Sequence, residues 1–372
     1  MRMLSKLVTG AAAVATVTAL SAGPALADPP KGVTPAPGSV VSVGAQTQQN
    51  LFDSLATNWD KANPKKTQLY TWDALNSAGA DNNIATKKGC APIVRPNGAS
   101  PGITSLAANI KIGSHYCIDF ARSSRAEKST DPTGLSFIPF AFDSVTYASV
   151  TKNPKTPKGS NAPANLTTKE LAEIYTCTAT KWNQVGGKSS ATIHPLLAQA
   201  GAGTVTFFLT AIGVTTPGKC VSEPTTLEEN EGTNSIFTGK NAANEIIPFS
   251  TGDWIAQAYH SAACVNKSCT AVKGVTCKPK KGQNAFGCAD NGVLKLNGIN
   301  GTKPVSGTGA KAILNSHFSS IFIRTLFNVV RTAKTKDSIP AYLEQFIGTK
   351  GLVCKNPSLV KDYGFLPDPS CG

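Results

Sequence analysis

The sequence contains neither a His-Glu-x-x-His pair nor a Gly-x-Gly-x-x-Gly turn, and His115, His194, His260 and His317 show no metal-ligand spacing. These absences remove the usual signs of a zinc hydrolase and of a dinucleotide-binding enzyme. No catalytic residue, metal ligand or cofactor is expected. Gly186-Gly187-Lys188-Ser189 spells the end of a phosphate-binding P-loop, but Trp182 stands where its first glycine is required. Acidic residues are scarce as well, with 22 Asp and Glu against 36 Lys and Arg and a formal net charge of +14. Such an excess implies either solubility alone or an anionic partner, whether a small anion or an anionic cell-wall polymer. The lysines are scattered, as at Lys65-Lys66, Lys87-Lys88 and Lys280-Lys281, and are not interleaved with aromatics. No nucleic-acid groove is therefore expected.

Also missing is an apolar run of about 18 residues, the length of a membrane-spanning helix. The stretch Leu7 to Leu20 is shorter, is broken by Thr9, Gly10, Thr16 and Thr18, follows Arg2 and Lys6, and leads to Ala25-Leu26-Ala27. That order is the pattern of a secretory signal peptide over residues 1–27, with the mature chain starting at about Asp28. No cysteine stands near the cleavage point to take a lipid. The expectation is a secreted or extracellular protein, at the cell surface if it is held by contacts.

Ten cysteines, an even number in an exported chain, imply five disulfides. Sequence proximity pairs Cys90 with Cys117, Cys177 with Cys220 and Cys354 with Cys371. Cys264, Cys269, Cys277 and Cys288 can pair in three ways, and their gaps do not match the C-x(2-4)-C pairs of zinc sites.

After cleavage the chain exceeds what one core usually holds and suits two lobes. Residues 28–39 read as a Pro/Gly-rich flexible leader. Val40-Val41-Ser42-Val43 is a short strand, followed by a turn and a helix bearing Leu51, Leu55 and Trp59. Thr167 with Glu170 forms a capping box opening a helix that carries Leu171, Ile174 and Tyr175. Ile313, Leu314, Phe318, Ile321, Phe322, Leu326, Val329 and Val330 follow a helical period, and Ser338 with Pro340 starts another helix carrying Leu343, Phe346 and Ile347. Strands alternating with helices argue an α/β fold. The segments around Ile138-Pro139-Phe140 and Ile247-Pro248-Phe249 either cross between lobes or are unrelated strands ending in proline. As crossings they divide the chain into lobe one (residues 40–143 and 250–372) and lobe two (144–249). A Cys-rich excursion spans 264–309, with a small hairpin read at 292–298.

Three segments place small residues and hydroxyls where a helix is expected to begin: Gly44-Ala45-Gln46-Thr47, Ala121-Arg122-Ser123-Ser124-Arg125 and Gly201-Ala202-Gly203-Thr204. Helix N-termini offer free N–H groups and a partial positive charge, and small residues let the backbone come close to a ligand. Each alone is an ordinary cap; together, in a basic exported chain, they point to a small anion.

In order along the chain, Val43-Gly44-Ala45-Gln46-Thr47-Gln48, Ile118 to Arg125, Leu166-Thr167 through Glu173-Ile174-Tyr175 to Lys181-Trp182-Asn183, Gly201 to Thr204, and Asn230-Glu231-Gly232-Thr233 resemble the phosphate-binding component of ABC transporters, in its actinobacterial form. The resemblance covers residues 40–260 and implies a type II periplasmic-binding fold, two α/β lobes closing on a ligand in a hinge cleft. It also implies ligand contacts at Ala45, Gln46, Thr47, Gly201, Ala202, Gly203 and Thr204, with an ABC permease as partner. Three family ligands are replaced: the arginine falls on Ala198, the aspartate near Ser124 and the serine on Ala202. Arg122 and Arg125, beside Ser123 and Ser124, either restore the missing charge or form surface ion pairs, for instance with Glu127. The reading is an extracellular protein capturing phosphate or another oxyanion. The alternative is a cell-surface binding module on the same fold that has lost transport.

Overall fold

The computed structural model describes residues 28–29, 32–74, 83–260, 291–335 and 338–372. The signal segment 1–27 and Cys264, Cys269, Cys277 and Cys288 lie outside these. The β-branched run forms β1 (Val40–Gly44), and α1 (Gln49–Ala62) follows after a single 3-10 turn at Gln46–Gln48. Next come β2 (Leu69–Thr71), α2 (Ala99–Ala107), β3 (Phe120–Ser123) and the long β4 (Leu135–Val150). The second half adds α3 (Thr168–Tyr175), β5 (His194–Pro195), α4 (Gly203–Ala211), β6 (Glu245–Ser250) and α5 (Thr251–Tyr259). The chain closes with β7 (Leu294–Leu296), β8 (Ile323–Arg331) and β9 (Leu366–Pro367).

These strands make one sheet in the order β5-β6-β4-β8-β3-β1-β2, with β7 and β9 pairing elsewhere along β4. β4 organises it. Leu135 to Ser144 pair antiparallel with β8, and Val145 to Ser149 pair antiparallel with β6. Pro139 sits where the β8 register slips past Phe140, a bulge that spares proline its missing ladder donor. On one side of this handover, Phe52 packs on Phe120 and Phe140 with both centroid distances 5.7 Å. On the other, Phe208 packs on Tyr175 at 5.3 Å and on Phe322 at 6.3 Å. Apolar clusters thus lie on both sides of the handover. The capping box at Thr167 and Glu170 is present, and disulfides join Cys90–Cys117, Cys177–Cys220 and Cys354–Cys371.

Four local readings need correction. The helix expected over Ile313 to Val330 is instead a two-residue strand at Ile313–Leu314, a 3-10 turn at Ser320–Phe322 and then β8. Residues 323–328 alternate, burying Arg324, Leu326 and Asn328 against half-buried Ile323, Thr325 and Phe327, before Val329 and Val330 are both buried. That is a period of two, and partners on both sides decide the matter. No hairpin forms at 292–298: β7 pairs with Ala148 to Val150, and Gly298–Ile299 pairs with Asn165–Leu166. The helix after Pro340 is one α-turn, Glu344–Ile347, preceded by a 3-10 turn, though Leu343, Phe346 and Ile347 are buried as expected. No helix begins at Arg122 to Arg125, where β3 ends in a bend. Among the described residues, no helix is long and apolar enough to cross a membrane.

Candidate functional site

Two of the three expected loops open helices, and all three meet. Gly44 ends β1 at φ +114°, and any Cβ there would overlap the Arg122 carbonyl. Only glycine lets β1 turn this sharply against β3. The turn delivers Ala45, Gln46 and Thr47, all buried, to the start of α1. Gly201 and Ala202 deliver Gly203 and Thr204 to the start of α4. Ser124, fully buried at the end of β3, lies so close to Gly203 that a methyl on Gly203 would overlap its Oγ. Gly203→Ala is therefore expected to hold the α4 loop away from Ser124 and to weaken ligand affinity by about tenfold or more, read in a binding titration, while Ala202→Gly leaves it nearly unchanged.

The two arginines singled out in the sequence are elsewhere engaged. Arg122 is fully buried and donates to the Ala45 carbonyl (3.2 Å), Ser42 Oγ (3.1 Å), Thr71 Oγ1 (2.6 Å) and the Trp72 carbonyl (2.7 Å). Arg125 makes a two-point pair with Asp131, both contacts 2.7 Å, and donates to Ser100 Oγ. Its carboxylate partner is thus Asp131, where the sequence suggested Glu127. Ser123 Oγ donates to the Arg125 carbonyl, 2.7 Å away. The sequence also spells Gly98-Ala99-Ser100-Pro101-Gly102, the letters of a hydrolase nucleophile turn. Ser100, however, lies in the first turn of α2, and the hydrogen bond at its Oγ is one accepted from Arg125 Nε, not one donated to a histidine base.

The charge between the loops comes from Arg324, on β8, which is 4% exposed. Its Nη2 lies 2.8 Å from Asp143 Oδ2, 3.0 Å from Thr204 Oγ1 and 3.3 Å from Thr47 Oγ1. One guanidinium therefore touches the starts of α1 and α4 at once. Asp143 is saturated, since Oδ1 accepts the Gly252 N–H at the start of α5 (2.9 Å) and Oδ2 also accepts Arg324 Nε. Arg324 Nη1 is buried without a hydrogen-bond partner, as is Ser124 Oγ. Buried donors are costly when unsatisfied, and both of these are free to bond a ligand.

A second carboxyl faces them. Glu229 is fully buried; Oε2 accepts the Thr204 N–H at 3.2 Å and Oε1 has no partner. Burial pushes its carboxyl up, opposed by the Arg324 charge and the hydrogen bonds from Thr204. Next to it, Asn230 Nδ2 donates to Thr47 Oγ1 at 3.4 Å, and Asn97 links the α2 loop to Gln199 and Glu228. Sequence reading missed Arg324, Asp143 and Glu229. Arg324 was hidden by a helical period, Asp143 follows an apolar run, and Glu229 adjoins the Asn230-Glu231-Gly232-Thr233 segment without belonging to it.

Among the described residues, no group of three or more His, Cys, Asp and Glu side chains is placed to hold a metal ion. The arrangement brings two helix starts together around a buried guanidinium, with Arg324 Nη1 and Ser124 Oγ unpartnered beside them, a setting suited to an oxyanion.

The "PBP superfamily domain" family matches residues 29–308. By structure, the chain is similar to an ABC-type phosphate transport receptor from Vibrio cholerae, at 15% identity and TM-score 0.50, covering 88% of this chain and 99% of that one. It is also similar to a Clostridium perfringens protein assigned as a phosphate ABC transporter substrate-binding protein and solved with bound phosphate, at 14% identity and TM-score 0.53, covering 89% and 99%. No curated protein matches the sequence. At these identities the two structures speak for the fold alone. The family match spans most of the sequence, and the chain belongs to the PBP superfamily with the type II periplasmic-binding fold.

Proposed function

We propose that the protein is an exported solute-binding protein that closes its lobes, divided at 143/144 and 249/250, over a small oxyanion, with phosphate the first candidate. The observation that carries this is Arg324: a buried guanidinium bonded to Thr47 on one side of the cleft and Thr204 on the other, with Nη1 still unused. In this reading Arg324 supplies from a distant strand the charge that the family resemblance places at Ala198. Ala198 itself is 1% exposed among apolar neighbours. Ser124 Oγ and the N–H groups opening α4 complete the ligand shell. Because the ligand contacts both lobes, it stabilises the closed form by its differential affinity for it. An ABC permease would read that closed form.

Glu229 sets the charge requirement. An ionised carboxyl on the Thr204 N–H competes with an incoming anion, and a protonated one does not. Oxyanion affinity is therefore highest at acidic pH and falls as pH rises through the raised Glu229 value. Glu229→Gln tightens binding and removes that dependence. The test is thermal unfolding of the mature protein against phosphate, sulfate, phosphonates and wall-polymer fragments at matched ionic strength, with sulfate followed across pH because it does not titrate there. A ligand at 100 times its dissociation constant adds about 2.7 kcal/mol of stability. Stabilisation by one small oxyanion supports the reading; stabilisation by polymer alone replaces it with the surface-binding alternative.

A further inference from the structure

A ring of hydrogen bonds runs between the loops on either side of the cleft. Asn97 stands just before α2, where its backbone bridges Gly44 at the end of β1. The other members, Gln199 and Glu228, lie 102 and 131 residues further on, in the proposed second lobe. Gln199 Oε1 accepts the Glu229 N–H at 2.7 Å, which turns Gln199 Nε2 toward Asn97 Oδ1 at 3.0 Å and leaves Asn97 Nδ2 to donate to Glu228 Oε2 at 2.8 Å. A backbone N–H can only donate, so it fixes the direction of every bond in the ring. Gln199 and the segment before Glu229 are already tied to each other, the Gln199 N–H donating to the Leu227 carbonyl at 3.1 Å. Asn97 is the member that crosses. The backbones abut at the same place, since a Cβ on Gly98 would stand 3.5 Å from the Gly201 carbonyl oxygen. Asn97, Gln199 and Glu228 are each half-buried.

We propose that Asn97 is the catch that holds the lobes together: a positioning residue whose two bonds across the cleft favour the closed form and seat residues 228–230 against the ligand site. That segment carries Glu229, whose Oε2 accepts the Thr204 N–H, and Asn230, which donates to Thr47 Oγ1. A hydrogen bond made only in the closed form shifts the balance between open and closed forms by its own free energy, so the ligand has less of the shift to supply. Burial pushes the Glu228 carboxyl up, the bond from Asn97 opposes this, and the Glu231 and Glu229 charges add to it. Closing without Asn97 leaves that carboxyl partly desolvated with its donor gone, so removing Asn97 penalises closure by more than the lost bonds. The inference rests on the lobe closure proposed above and is independent of which oxyanion is bound.

The test compares the mature wild-type protein with Asn97→Ala and Gln199→Ala, by small-angle X-ray scattering with and without saturating inorganic phosphate and by titration of phosphate. Without ligand, both variants are expected to have a larger radius of gyration than wild type. Phosphate returns both to the wild-type radius, which loss of folding would not allow. Asn97→Ala is expected to bind phosphate about five- to fiftyfold more weakly. Where phosphate binds wild type, an equal affinity in Asn97→Ala, an unchanged ligand-free radius, or a radius that phosphate does not restore overturns the inference. If phosphate does not bind wild type, the oxyanion assignment fails and the ligand-free radii decide the catch by themselves: expansion in both variants upholds it, and equal radii overturn it.

Discussion

Arg324→Ala is expected to lower oxyanion affinity by about 30- to 1000-fold, the effect of deleting one partner of a buried, hydrogen-bonded charge pair. It also leaves Asp143 buried with its cation removed, at a cost to folding of about 3–5 kcal/mol. The two effects are separable. Arg324→Lys keeps a charge beside Asp143 and restores most of the stability, but a lysine cannot reach Thr47, Thr204 and the ligand together as a guanidinium does. Binding then remains weak in a stable protein. Denaturant unfolding and a ligand titration on the same three proteins check this; Arg324→Ala binding as tightly as wild type would remove Arg324 from the site.

Arg122→Ala has the opposite profile. All of the Arg122 contacts are with the protein's own Ala45, Ser42, Thr71 and Trp72, and its charge opposes the upward push that burial and Asp73 give the Asp53 carboxyl. Its loss strands those acceptors and a buried carboxyl, for about 3–5 kcal/mol of stability. Because the side chain does not reach Thr47, Thr204 or Arg324, the affinity of the folded fraction changes by only a few-fold. Unfolding curves with and without ligand measure both quantities. A large affinity loss at wild-type stability would place Arg122 back in the cleft.

The contrast between these two arginines shows what was legible beforehand. Local chemistry was: the Thr167–Glu170 capping box, the glycine turn into α1, the Gly203 helix start and the near-neighbour disulfides are all decided within a few residues. The site's charge was not, because it depends on which strand lies beside which. In Ile323 to Arg331 the helical and strand periods compete over nine residues, and only pairing with β4 and β3 on either side turns Arg324 inward. Arg122 misled for the converse reason. It adjoins Ser123 and Ser124 in sequence, yet Arg122 lies within β3 and runs under Ala45 toward Thr71, while Ser124 lies in the bend past the end of that strand, against Gly203. Asp28 was misread because Pro and Gly signal a flexible leader, and nothing local shows that Arg95, 67 residues away, clamps its carboxylate.

The most direct test of the central claim is calorimetric titration of inorganic phosphate, and separately of sulfate, into the mature protein and into Arg324→Lys, at a pH low enough to protonate Glu229. The account predicts saturable binding of one oxyanion per chain to wild type, weakened by at least tenfold in the variant. Binding of neither anion to a folded wild-type protein, or equal binding to both proteins, would contradict it.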